Sequence, residues 1–149
     1  MIHSWRNSKI KVSLLVLLIF ISNLLCDAQN RLPSVAMPSV TYNMSMQTSK
    51  AYVSGLLIMQ YDEPDIKAVL VNEFGVSFME FTYQPRKQKV KLHYVMASMN
   101  KWYIKRTLRS DIKNIINKMQ QGDTVYVNSK RNIQYHFVLT DSTHYDAQR

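Results

Sequence analysis

Side chains able to do covalent or metal chemistry are few and scattered in this chain of 149 residues. His93, His136 and His144 are its histidines beyond the first few residues, and none has a partner at His-x-x-x-His or His-Glu-x-x-His spacing. His93 falls on the charged side of an alternating segment, and His136 stands between Tyr135 and Phe137, so both read as structural. Asp62, Glu63 and Asp65 form one acidic cluster, which lacks the regular spacing and terminal bidentate glutamate of a calcium loop. With Pro64 inside it, the cluster reads as a turn. There is no Gly-x-Ser-x-Gly elbow and no Gly-x-x-x-x-Gly-Lys loop, and three glycines leave no room for a phosphate cradle. The residues therefore predict a protein that is not an enzyme and needs neither cofactor nor metal.

What the chain offers instead is apolar and cationic surface. Nine methionines are many for this length, and their unbranched thioethers adapt to irregular shapes. Met59, Val69, Phe78, Leu92, Tyr94 and Met96 are expected on the inner face of a sheet, under helical Met99, Trp102, Tyr103, Leu108 and Ile112. Such a set makes a plain core if closely packed and an apolar ligand pocket if not. The cations cluster as Arg86, Lys87, Lys89 and Lys91, and again as Lys101, Lys105, Arg106, Arg109 and Lys113. The second cluster is the candidate contact for an anionic surface, and the competing reading is a solvated face that confers solubility.

The opening residues bear on which anions those are. Arg6, Lys9 and Lys11 precede an almost unbroken apolar run from Val12 to Leu25, and Cys26-Asp27-Ala28 gives a small-x-small ending. Residues 1–28 are thus expected to be a cleaved secretory signal, since the run is short for a membrane span of about 20 apolar residues. The alternative is a lipoprotein acylated on Cys26, although the bulky Leu25 stands where such sites take a small residue. Cleavage would remove the one cysteine, leaving stability to packing. Setting aside Arg6, Lys9, Lys11 and Asp27 leaves 16 Lys+Arg against 9 Asp+Glu, a net charge of +7. Outside the cytoplasm, that charge favours anionic lipid headgroups or polyanionic glycans over nucleic acid.

The elements that must position these groups form one domain. Residues 29–39, with Pro33 and Pro38, read as a flexible lead-in; residues 40–140 as a single sheet-and-helix domain; residues 141–149 as a polar tail. Strands are expected over 50–61, 66–71, 76–83 and 89–96, joined by turns at Asp62-Glu63-Pro64-Asp65, at Asn72-Glu73-Phe74-Gly75 and at Gln84-Pro85-Arg86-Lys87-Gln88. Gly75 is the expected positive-φ position. Connections this short make the four strands an antiparallel meander. The period then changes: Leu108, Ile112, Ile115, Ile116 and Met119 recur at helical spacing, with Thr107 or Ser110 as cap and Asp111 near the positive end. A shorter helix starting near Ser98 or Asn100 is expected before it, with Met99, Trp102 and Tyr103 inward. A second strand pair, 123–128 and 133–140, follows Gly122. The fold class is α+β, an antiparallel sheet curled over two helices.

This order of elements behind a secretory leader, with residues 66–83 paired around the Asn72-Glu73-Phe74-Gly75 turn, resembles the lipoprotein-localisation carriers of the bacterial envelope, the LolA/LolB-like group. The resemblance spans residues 52–140 and departs from the group in having one strand pair after the helices where the family has several more strands. It implies an incomplete antiparallel barrel whose apolar concave face holds acyl chains. The expected function is then non-catalytic binding of an apolar or lipidated ligand by a protein of the periplasm, or one anchored at the outer membrane if Cys26 is acylated. The alternative is a basic accessory domain of an envelope assembly, or a polyanion binder, without a ligand pocket.

Overall fold

The computed structural model describes residues 32–140. The expected leader with Cys26, the first residues of the lead-in and the tail with His144 lie outside the described residues. The chain runs β1 (Ser39–Gln47), β2 (Tyr52–Asp62), β3 (Asp65–Val71), β4 (Ser77–Gln84), β5 (Lys89–Val95), α1 (Trp102–Gln120), β6 (Val125–Asn128) and β7 (Ile133–Leu139). All seven strands belong to one antiparallel sheet in the order β5-β4-β3-β2-β1-β7-β6. The sheet curls into a half-barrel.

The meander expected over four strands has five. β1 carries Val40, Tyr42 and Met44 inward on alternate positions and sits in the interior of the sheet, between β2 and β7. It joins the meander and the C-terminal pair into a single sheet. After β5 the chain stands at one edge, yet β6 is the opposite edge. The helix that connects them must therefore cross a face of the sheet, and α1 touches both edge strands. The lead-in is anchored within the described residues: Leu32 is buried in the core, and Tyr61 donates its backbone N–H to the Pro38 carbonyl at 2.8 Å.

Two turns follow directly from their residues. Asn72 Oδ1 accepts hydrogen bonds from the backbone N–H groups of Phe74 and Val76 at 3.0 and 2.8 Å, and Gly75 adopts φ 76°, a region where a side chain is strained. The β6–β7 turn closes with Asn132 at φ 53°, which asparagine tolerates.

In place of two helices there is one continuous α-helix of 19 residues, preceded by a single 3-10 turn, Ala97–Met99. Neither Thr107 nor Ser110 caps it: Lys101 occupies the cap position without a side-chain cap, and the Thr107 hydroxyl donates back to the Tyr103 carbonyl at 3.0 Å. No residue between Trp102 and Gln120 is Gly or Pro, so nothing interrupts the helix. Its buried stripe is Leu108, Ile112, Ile115, Ile116 and Met119, as the spacing predicts. Asp111 lies on that stripe too, mid-helix and not near its positive end.

The alternation of β5 breaks where the sequence cannot show it. The β4 partner steps from Tyr94 at Glu80 to Leu92 at Phe81, leaving His93 as an extra residue. The inward side shifts by one beyond the bulge, so Val95 is 6% exposed and Tyr94 45%.

Candidate functional site

A buried stripe of isoleucine, leucine and methionine drives α1 into the hollow of the sheet, and that packing fills most of the hollow. What remains is a cleft at the N-terminal half of the helix, between Ile104, Thr107 and Leu108 of α1 and Met46, Ile133 and Tyr135 of β1 and β7. Its volume is about 210 Å³, with Met99 and Tyr103 at its sides and Arg131 at the rim. Behind it lies a void of about 30 Å³, the space of one or two water molecules, reaching Met44, Leu70, Met79 and Ile112. Met46, Met99, Leu108 and Tyr135 line both spaces and form the partition between them. Two of those four are methionines, whose side chains rearrange at low cost.

The floor of the cleft is held by a polar network. Asp111 is 1% exposed, and its carboxyl group accepts hydrogen bonds from the Tyr135 hydroxyl at 2.8 Å, Asn128 Nδ2 at 2.8 Å and, at a longer 3.4 Å, the Tyr126 hydroxyl. Asn114 Nδ2 donates to the Tyr126 hydroxyl at 2.9 Å, and the rings of Tyr126 and Tyr135 stack with centroids 5.9 Å apart. One carboxyl group thus ties α1 to both strands of the C-terminal hairpin. Burial, with Asp111 beside it, holds the Tyr135 hydroxyl well above the usual tyrosine value, and burial raises Tyr126 as well, despite the opposing bond from Asn114.

Comparison with protein-family models, with curated proteins and with solved structures finds no match.

Of the residues expected to line an apolar pocket, Met99, Tyr103, Leu108 and Ile112 do line the cleft or its inner void. Met59 is fully buried core, and Phe78 and Leu92 are half-buried against it. Val69 is not inward: it alternates with buried Ala68 and Leu70 and lies in an open groove of about 530 Å³ on the outer face, beside Lys67, Glu80, Thr82 and His93. Tyr94 points outward beyond the β5 bulge, and Met96 lines a separate outer-face groove with Tyr52 and Leu56. Trp102, expected inward, is 74% exposed and stands edge-on to Tyr103. The first turn of α1 projects beyond the packed stripe, which begins at Leu108.

His93 hydrogen-bonds Thr82 Oγ1 at 2.8 Å on the outer face. His136 is exposed on β7, where it faces Ser45 of β1 and Val125 of β6. Among the described residues no three His, Cys, Asp or Glu side chains gather as metal ligands, and no helix is long and apolar enough to cross a membrane.

The sequence reading missed Met46, Ile104, Thr107, Ile133 and Tyr135 as cleft residues. A signal existed for part of this: Tyr42, Met44 and Met46 alternate at period two, which marks the inner face of β1. Asp111 also stood out as a charged residue on an otherwise apolar stripe.

Proposed function

We propose that this protein is a non-catalytic binder of an apolar group, such as the end of an acyl chain on a lipid or a lipidated partner, held in the cleft between α1 and the β1–β7 side of the sheet. The cleft itself carries the reading: about 210 Å³ with a largely apolar lining and a rearrangeable methionine partition in front of a further void. An apolar cavity of about 150 Å³ is enough to take a benzene-sized molecule, whereas whole drug-sized ligands need roughly 300–1,000 Å³. The occupant is therefore a short apolar segment and not an entire lipid. The expected secretory leader, residues 1–28, supports an envelope location for this role, as does the resemblance to lipoprotein carriers. The cleft is much smaller than the gap that resemblance implies, because α1 fills most of the concave face.

Titration with a fluorescent apolar probe such as anilinonaphthalene sulfonate, competed by decanoic acid, tests the reading. Thr107 is half-buried on the cleft wall, and Thr107→Phe places a ring in the open space. The expected result is at least a tenfold loss of competition with the fold intact by circular dichroism. Undiminished competition in that variant would show that the ligand binds elsewhere. A second reading, a basic accessory domain without a ligand, draws on the same filling of the hollow by α1. Absence of any saturable apolar binding would favour it.

A further inference from the structure

We infer that the exposed flank of α1 is a docking surface for a bilayer rich in anionic lipid headgroups, with Trp102 entering the headgroup layer and the cations beside it binding phosphate. Charge on this molecule is segregated. Between Arg86 and Lys118 the chain carries ten Lys or Arg and a single acid, Asp111, which is buried and turned to the hairpin. The acids Asp62, Glu63, Asp65, Glu73 and Glu80 all fall on β2 to β4 and their turns. The ion pairs among the described residues are Lys67–Asp62 and Lys118–Asp123, so the cations from Lys101 to Lys113 have no acidic partner among the described residues.

Helical geometry organises that charge. Trp102, Arg106, Arg109 and Lys113 are spaced four, three and four residues apart, which puts them in one stripe down the solvent side of a helix about 28 Å long. Ile104 and Thr107, on the cleft wall, lie on the other side of the helix. At the head of the stripe Trp102 and Tyr103 leave 74% and 41% of their surface in water, with rings 6.0 Å apart. An indole and a phenol at one end of a cationic helix suit a membrane–water interface, where an amphipathic ring sits level with the headgroups. Single-stranded nucleic acid asks for a cationic groove with successive stacking rings, and this stripe is a convex surface with its aromatics at one end.

The inference stands on the charge and aromatic pattern and does not depend on the cleft. Its test is co-sedimentation of the full chain with vesicles of phosphatidylglycerol and phosphatidylcholine, against vesicles of phosphatidylcholine alone. Because the chain has two tryptophans, Trp5→Phe leaves Trp102 as the reporter. The expected result is binding to the anionic vesicles, weakened by salt, with Trp102 emission moving to shorter wavelength. Neutralising three cations in Arg106→Gln/Arg109→Gln/Lys113→Gln lowers that binding about a hundredfold, at about fivefold per cation. If the triple variant folds poorly, Arg106→Gln/Arg109→Gln alone, at two exposed positions, gives about twenty-five-fold. Equal binding to neutral vesicles, or an unchanged affinity in the variants, overturns the inference. Retention on heparin or a DNA duplex without vesicle binding overturns it in favour of a polyanion partner.

Discussion

At the scale of single residues, Asp111 is the side chain on which the helix, the hairpin and the cleft floor depend. A buried carboxyl group is costly unless its oxygens are satisfied, and here three neutral donors converge on it. Removing one donor leaves a carboxyl oxygen bare in the core. Tyr135→Phe keeps the ring and deletes that bond, so it should cost about 1–3 kcal/mol of stability, read from the midpoint of urea unfolding. The same hydroxyl gives an alkaline signature. Its folded-state value is raised above the ordinary 10.0, so the folded form holds the proton more tightly than the unfolded form. That contribution is complete below about pH 10 and drains away as pH rises above it. Wild-type stability should therefore fall between about pH 10 and 12, and Tyr135→Phe should flatten the fall. Parallel pH profiles of the two proteins that superimpose in slope would remove Tyr135 from the explanation.

At the scale of elements, the strands and turns were the most legible part of the sequence. Period-two alternation and the Asn72 and Gly75 turn chemistry locate β2 to β5 because each rests on neighbours close in the chain. What could not be read depends on partners far away. The central place of β1 comes from its pairing with β7, nearly a hundred residues on, as in Met44 opposite Phe137. The β5 bulge shows only as an irregular register against β4, which is why Tyr94 and Val95 exchange sides. The aromatics Trp102 and Tyr103 look like an inner face in sequence, but Trp102 stands 74% exposed and Tyr103 reaches only the side of the cleft. One strand position has an exacting requirement that only packing shows. A Cβ on Gly55 would lie 2.1 Å from the Val71 carbonyl oxygen, a backbone atom that cannot swing aside. Gly55→Ala should therefore force β2 from β3 and cost about 1–3 kcal/mol, although alanine is the better strand former. An unchanged melting curve for that variant would mean that the β2–β3 spacing yields more easily than this geometry allows.

At the scale of the whole molecule, one helix crossing from edge to edge of a curled sheet explains both features that bear on function. Its apolar stripe packs into the hollow beside the small cleft at its N-terminal half, while its outward stripe gathers cations without an acidic partner among the described residues. Only part of the cleft was legible: Leu108 sits on the helical period and Met99 and Tyr103 were expected at an apolar face, while Ile104 and Thr107 of the helix were missed. The β1 and β7 half required the sheet order. The central claim is that this cleft takes an apolar group, and methionine methyl resonances report on it directly. With ¹³C-methyl-labelled methionine and increasing decanoic acid, the signals of Met46 and Met99 should shift together and saturate, while fully buried Met59 and Met119 stay in place. Saturable shifts at Met96 on the outer face with none at Met46 and Met99, or no saturable shift at all, would contradict the claim.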